Sequence, residues 1–82
     1  MENSLEQKIK NIMATVFEIS VEMINNESSS ETIESWDSLR HMNLVMTLEE
    51  EFNIVFTDDD IVKMINYQST VSVVEMMLLK KS

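Results

Sequence analysis

Glycine, proline and cysteine are all absent from this 82-residue chain. Without glycine and proline, turns must rely on Asn, Asp, Ser and Thr. Asn25-Asn26, Asn53 and Asn66 are the expected left-handed positions, because asparagine tolerates that backbone region better than most residues. Without cysteine there is no disulfide framework, which fits a cytosolic setting. Long apolar runs are missing too: none approaches the ~20 residues that a membrane-crossing helix needs, so no membrane span is expected. The opening Met1-Glu2-Asn3-Ser4 has no basic region followed by an apolar one. No signal peptide is expected, and the location reads as cytoplasmic.

Positive charge is scarce. Fifteen acids face six Lys and Arg, a formal net charge of −9. Between Glu22 and Asp60 lie eleven acids, with Arg40 as the only Lys or Arg. Such a surface repels nucleic acid and anionic lipid and attracts basic patches on proteins. In an arbitrary acidic domain this is a solvated face. Acids gathered in the middle, with basic residues towards the ends, point instead to partners that dock by charge.

What is present suffices for one small core. Hydrophobic residues make up 44% of the chain, and its length fits a single domain over residues 1–82 with no deep catalytic cleft. Leu5, Ile9, Ile12, Met13, Val16 and Phe17 recur at helical spacing, which predicts a first helix over residues 4–19. Residues 20–36 lose that period and contain Ser28-Ser29-Ser30; they read as a long loop pinned by Met23, Ile24, Ile33 and Trp36. Loops of this length in compact domains are often functional. A second helix is predicted over 38–52, capped by Asp37 or Ser38 and closed by Asn53. Thr57 or Asp58 opens a short third helix to about Ile65, its acids suited to the positive end. Ser69 or Thr70 opens the last helix, through Val73, Val74, Met77 and Leu78 to Lys80-Lys81. The fold class is all-α: a four-helix bundle of three longer helices and one short third helix, with a long loop between helices 1 and 2.

At ~100° per residue, Leu44, Val45, Leu48 and Phe52 share an arc of the second helix suited to the core. Leu39, Met42 and Met46 widen the apolar arc to roughly 220°, where an apolar stripe somewhat over ~100° normally suffices. The excess either packs beneath a loop or forms a partner-binding patch, with methionine as an adaptable contact. Ser38 stands at the start of this helix, and by itself it is a cap. The same place favours a phosphate, because free backbone N–H groups and the helix dipole attract an anion. A nucleophilic serine enzyme is disfavoured: there is no Gly-x-Ser-x-Gly elbow. The single histidine, His41, projects towards the core arc and reads as a half-buried structural residue.

Asp37-Ser38-Leu39, followed by Leu44-Val45-Met46 and Leu48-Glu49-Glu50-Glu51-Phe52, resembles the signature of acyl carrier proteins. The stretch Thr57-Asp58-Asp59-Asp60-Ile61 and the last helix extend the resemblance over nearly the whole chain. It implies a carrier, not an enzyme, with no catalytic residue and no metal. In that family 4′-phosphopantetheine, derived from coenzyme A, is joined covalently to the serine of Asp-Ser-Leu, here Ser38, by a phosphopantetheinyl transferase. Acyl cargo then rides as a thioester on the arm, so the missing cysteine is consistent. The resemblance assigns transferase and partner recognition to Asp37, Leu39, Met42, Met46, Glu49 and Glu50. It assigns the acyl pocket to Phe56, Ile61 and Met64. Acyl-loading and acyl-processing enzymes with basic docking patches are the implied partners, and the carrier is expected to be a monomer.

Several positions depart from the family pattern. Glu34-Ser35-Trp36 stands where a glycine is common. Arg40, His41 and Asn43 stand where the second helix usually begins with acids, and Phe56-Thr57 replaces a frequent proline. These departures leave attachment intact and point to a dedicated biosynthetic pathway rather than general fatty-acid synthesis. Two other readings stay open at this stage. The cargo could be an aminoacyl or peptidyl group. Alternatively the chain could be an acidic, Met-rich peptide-binding module, although Asp58-Asp59-Asp60-Ile61 lacks the alternating acids, glycine and terminal Glu of a calcium loop.

Overall fold

A computed structural model describes residues 4–25, 27–29 and 31–81. Among them are four α-helices: α1 (Ser4–Phe17), α2 (Ser38–Phe52), α3 (Asp58–Lys63) and α4 (Tyr67–Lys81). The long connection from α1 to α2 carries one tight helical turn at Val21–Met23. The all-α bundle with a short third helix is therefore as expected from the residue pattern. Among the described residues the only β pairing is an isolated bridge between Ser29 and Asn66.

Helix α1 stops two residues earlier than its apolar period predicts. Carbonyls that a longer helix would use are taken from outside: Ser35 Oγ donates to Phe17 O at 2.8 Å, and an Arg40 guanidinium N–H donates to Val16 O at 3.1 Å. Glu18 then turns left-handed at φ 58°, and the Ile19 N–H closes the end on Ala14 O at 3.0 Å. The left-handed region disfavours a non-glycine residue by roughly 1 kcal/mol. Asn53 closes α2 in the same manner at φ 55°, as expected.

The other asparagines work differently. Neither Asn25 nor Asn66 is left-handed, and Asn26, like Ser30, lies outside the described residues. Asn25 turns the loop through its side chain, which accepts from the Glu27 N–H at 2.8 Å. Asn66 caps α4 by accepting from the Ser69 N–H at 2.7 Å, while Ser69 Oγ accepts from the Asn66 N–H at 3.2 Å. Helix α4 thus begins at Tyr67, not at the expected Ser69 or Thr70. A side chain that bonds its own backbone makes a turn without a positive φ.

The core is one cluster. Ile9, Met13 and Phe17 of α1 meet Leu44, Val45 and Leu48 of α2, Val71, Val73 and Val74 of α4, and Ile24, Ile33 and Trp36 from the long loop. Met23, expected to help pin that loop, is exposed. The Tyr67 side chain is buried with its hydroxyl unpartnered. Burial first, and the Glu6 carboxylate second, push its phenol above the ordinary value.

Helix α3 has six residues and depends on its cap. Thr57 Oγ accepts from the Asp60 N–H at 3.1 Å, and the Asp60 carboxylate accepts from the Thr57 N–H at 3.0 Å. That backbone N–H is the main reason the Asp60 carboxyl lies below its ordinary value; the Thr57 hydroxyl, Lys63 and Lys80 add to it against some desolvation. A depressed folded value gives stability that is present above the ordinary carboxylate range, near ~4, and is lost as pH falls through the folded value. Acidification below pH ~4 should therefore loosen α3 before the rest, visible in amide shifts of residues 58–63. Asp60→Asn keeps an acceptor that does not titrate and should remove that step. Ionic strength acts in the other direction on the whole domain. With a net charge of −9, the melting temperature should rise from very low salt to ~0.15 M, where screening cuts each charge's reach to about 8 Å. A flat melting temperature across that range would contradict the self-repulsion.

Candidate functional site

Asp37, not Ser38, caps α2: its carboxylate accepts from the Arg40 N–H at 2.9 Å. Ser38 is the first helical residue, and its side chain is exposed. Two of the helix's first N–H groups are spoken for, since the Arg40 N–H bonds the Asp37 carboxylate and the His41 N–H bonds Asp37 O at 2.8 Å. The N–H groups of Ser38 and Leu39 have no partner within a helix at these positions. A 15-residue helix adds its positive end there. The serine hydroxyl is thus set free by its neighbour's capping, at a place that stabilises a phosphate. A phosphodiester on Ser38 fits this arrangement without displacing any protein hydrogen bond seen among the described residues.

From Ser38 an open groove of about 580 Å³ runs between α2 and α3. Asp37, Ser38, His41 and Met42 line one side, and Ile61, Val62, Met64 and Ile65 the other, with Trp36 at its base. Two of the three expected pocket residues, Ile61 and Met64, are in this lining. Phe56 is not among them; it is buried in the core, and its N–H donates to the Glu49 carboxylate at 2.9 Å.

The widened apolar arc of α2 does not pack beneath a loop. Leu39, Met42 and Met46 are 72%, 45% and 58% exposed. Across the groove Val62 and Ile65 are exposed as well, so the apolar surface continues onto α3 and its following turn. The residue pattern of α2 alone could not reveal that extension. Glu50 is exposed beside this surface, whereas Glu49 is half-buried and holds the loop after α2 through Phe56.

Two further side chains have structural partners that sequence spacing does not show. The Trp36 indole N–H donates to His41 Nδ1 at 3.1 Å, and His41 Nε2 lies 3.1 Å from Ile61 O. Arg40 turns away from the Ser38 groove, bonding Val16 O and lying 3.6 Å from the Glu18 carboxylate. It lines a separate, larger cleft of about 680 Å³ between the end of α1 and the long loop. That cleft does not include Ser38. Among the described residues no cluster of three or more His, Cys, Asp and Glu could hold a metal. None of the described helices is long and apolar enough to cross a membrane.

Known proteins match both the sequence and this geometry. The family of phosphopantetheine attachment sites matches residues 7–77. An acyl carrier protein of Buchnera aphidicola subsp. Schizaphis graminum is 39% identical over 69 residues, covering 84% of this chain and 87% of the relative. Another, from Buchnera aphidicola subsp. Baizongia pistaciae, is 36% identical over 72 residues, covering 88% and 92%. The solution structure of a holo acyl carrier protein from Geobacter metallireducens superimposes with a TM-score of 0.84 at 29% identity, covering 96% of this chain and 91% of that one. Since the family match spans Ser38 and the structural match spans nearly the whole bundle, the chain belongs to the acyl carrier protein family, whose members are carriers of covalent 4′-phosphopantetheine and not enzymes.

Proposed function

We propose that this chain is a monomeric cytoplasmic carrier, a single domain, whose 4′-phosphopantetheine is attached at Ser38 and which serves a dedicated biosynthetic pathway. The observation that carries the attachment site is the exposed, unpartnered Ser38 hydroxyl at the first position of α2, with Asp37 doing the capping. In the attachment reaction Ser38 Oγ would attack the pyrophosphate of coenzyme A at the phosphorus bearing the pantetheine. The bond from that phosphorus to the adenosine bisphosphate breaks, and the serine proton passes to a base on the transferase. Once bound, the group supplies a flexible arm ending in a thiol that holds acyl cargo as a thioester. The Ser38 and Leu39 N–H groups would hold its phosphate. Asp37 and Leu39 flank the hydroxyl for transferase recognition, and Ile61 and Met64 offer apolar wall beside it, with Phe56 packed behind. A net charge of −9 keeps copies apart. Incubation with coenzyme A and a broad-specificity transferase should add the mass of one phosphopantetheinyl group; an unchanged intact mass would contradict the carrier reading.

The dedicated pathway is supported by the surface nearest Ser38. No acid occurs from Ser38 to Val45. Arg40 and His41 spend their polar groups on Val16, Glu18, Trp36 and Ile61. Along the first turns of α2 after Asp37, a partner therefore meets Leu39, Met42 and the exposed Asn43, and the next exposed carboxylates on this helix are Glu50 and Glu51. Charge should chiefly set the encounter rate, and the apolar patch the residence time. Glu50→Lys should slow association with a basic-patch partner, and Met46→Ala should speed dissociation by up to about fivefold, within the ~1 kcal/mol that most interface truncations cost. Surface plasmon resonance with an acyl-loading enzyme separates the two rates. Asn43→Glu, which restores an acid without disturbing Arg40, should improve loading by enzymes of general fatty-acid synthesis. No change in that loading would count against the dedicated pathway.

A further inference from the structure

The groove beside Ser38 has a bond across it. Trp36 is buried and stacked on Phe17, with ring centroids 4.8 Å apart, so its indole N–H is fixed in place. Because that N–H donates to His41 Nδ1, the imidazole proton sits on Nε2 and is donated to Ile61 O, 3.1 Å away. Ile61 O also accepts from the Met64 N–H at 3.2 Å at the end of α3. Among the described residues, the His41–Ile61 contact is the one hydrogen bond joining α2 to α3. A six-residue helix has little stability of its own and keeps its place through such ties. His41 and Ile61 face each other in the groove lining, one helical turn from Ser38. Behind them are the fully buried Leu44 and Leu48, which are not part of the groove lining. Cargo moving from the groove to that core must part α2 from α3 where the bond spans them, and would leave the Trp36 N–H or the imidazole short of a partner.

We propose that the Trp36–His41–Ile61 relay is a latch on the α2–α3 seam, and that His41 sets the acyl length at which cargo leaves the surface groove for the core. This rests on attachment of the arm at Ser38. Acyl groups too short to offset the latch stay in the groove, open to partners and to water; longer alkyl groups enter. A hydrogen bond of this kind shifts such an equilibrium about fivefold, and each buried methylene shifts it about fourfold the other way. Removing the latch should therefore move the switch by roughly one to two methylene groups. The natural cargo favoured by a closed seam is a short or polar-substituted acyl group.

The test uses the full chain loaded at Ser38 with butanoyl, pentanoyl, hexanoyl, heptanoyl and octanoyl groups, in the wild type, His41→Ala and His41→Gln. Methyl NMR of Leu44 and Leu48, which lie outside the groove lining, reports entry into the core, and hydroxylamine cleavage of the thioester reports exposure. His41→Ala should show core shifts and slowed cleavage at a shorter acyl length than the wild type. His41→Gln, which can still donate to Ile61 O, should return towards the wild-type length. In the apo protein His41→Ala should also speed amide exchange at residues 62–65 about fivefold. If all three proteins switch at the same length, the latch is overturned while the carrier reading stands. If intact mass shows no arm on Ser38, both fall together.

Discussion

Ser38→Ala should abolish phosphopantetheine attachment completely and leave the fold and melting temperature almost unchanged. The first half follows from chemistry: methyl has no oxygen to attack a pyrophosphate. The second half follows from geometry that a cap assignment alone would miss. Were Ser38 the cap, its loss would cost about 1 kcal/mol. The cap is Asp37, whose carboxylate already bonds the Arg40 N–H, and alanine is a good helix former. An exposed side chain making no bond should change stability by no more than about 0.5 kcal/mol. Circular dichroism melts and intact mass after treatment with coenzyme A and a transferase read both halves in one preparation. A modified Ser38→Ala protein would show a second attachment site, and a large drop in melting temperature would show that Ser38 has a structural role.

Trp36→Ala should do the reverse, damaging the fold while leaving the hydroxyl in place. Trp36 is 5% exposed, lies on Phe17 and gives its N–H to His41. Truncating a buried aromatic ring costs about 3–5 kcal/mol. At ~0.05–0.15 kcal/mol per residue, a chain of this size has about 4–12 kcal/mol in total. The melting temperature should fall by more than about 12 °C, and residual unfolded protein is expected at room temperature. Trp36→Phe keeps an aromatic ring on Phe17 but loses the hydrogen bond, about 1 kcal/mol, and part of the ring volume, so its melting temperature should fall less than that of Trp36→Ala. Similar, small effects of both substitutions would mean that the loop is not anchored through this ring.

Periodicity made α2 legible because its burial follows its spacing: Leu44, Val45 and Leu48 are buried and Leu39, Met42 and Met46 are not. The place of Ser38 at the head of that helix was legible for the same reason. What local pattern could not show were the bonds between residues far apart in sequence. Arg40 appears as an isolated positive charge in the sequence, yet it closes α1 through Val16 O, 24 residues away. Glu49 looks equivalent to Glu50, but only Glu49 bonds the Phe56 N–H. His41 reads correctly as half-buried, while its partner Ile61 lies 20 residues on. Asparagine signalled turns at Asn25 and Asn66 but not the means, since a side-chain bond and a left-handed backbone serve the same turn. Glu18 carried no turn signal, and its positive φ follows from the tertiary capping of α1.

One serine, Ser38, should bear the arm. The most direct test is fragmentation mass spectrometry of peptides from the wild-type chain after incubation with coenzyme A and a broad-specificity transferase. A single phosphopantetheinyl group is expected, on the peptide containing Asp37-Ser38-Leu39 and located at Ser38 itself. The same group found on Ser35 or another serine, or on no serine at all, would contradict it.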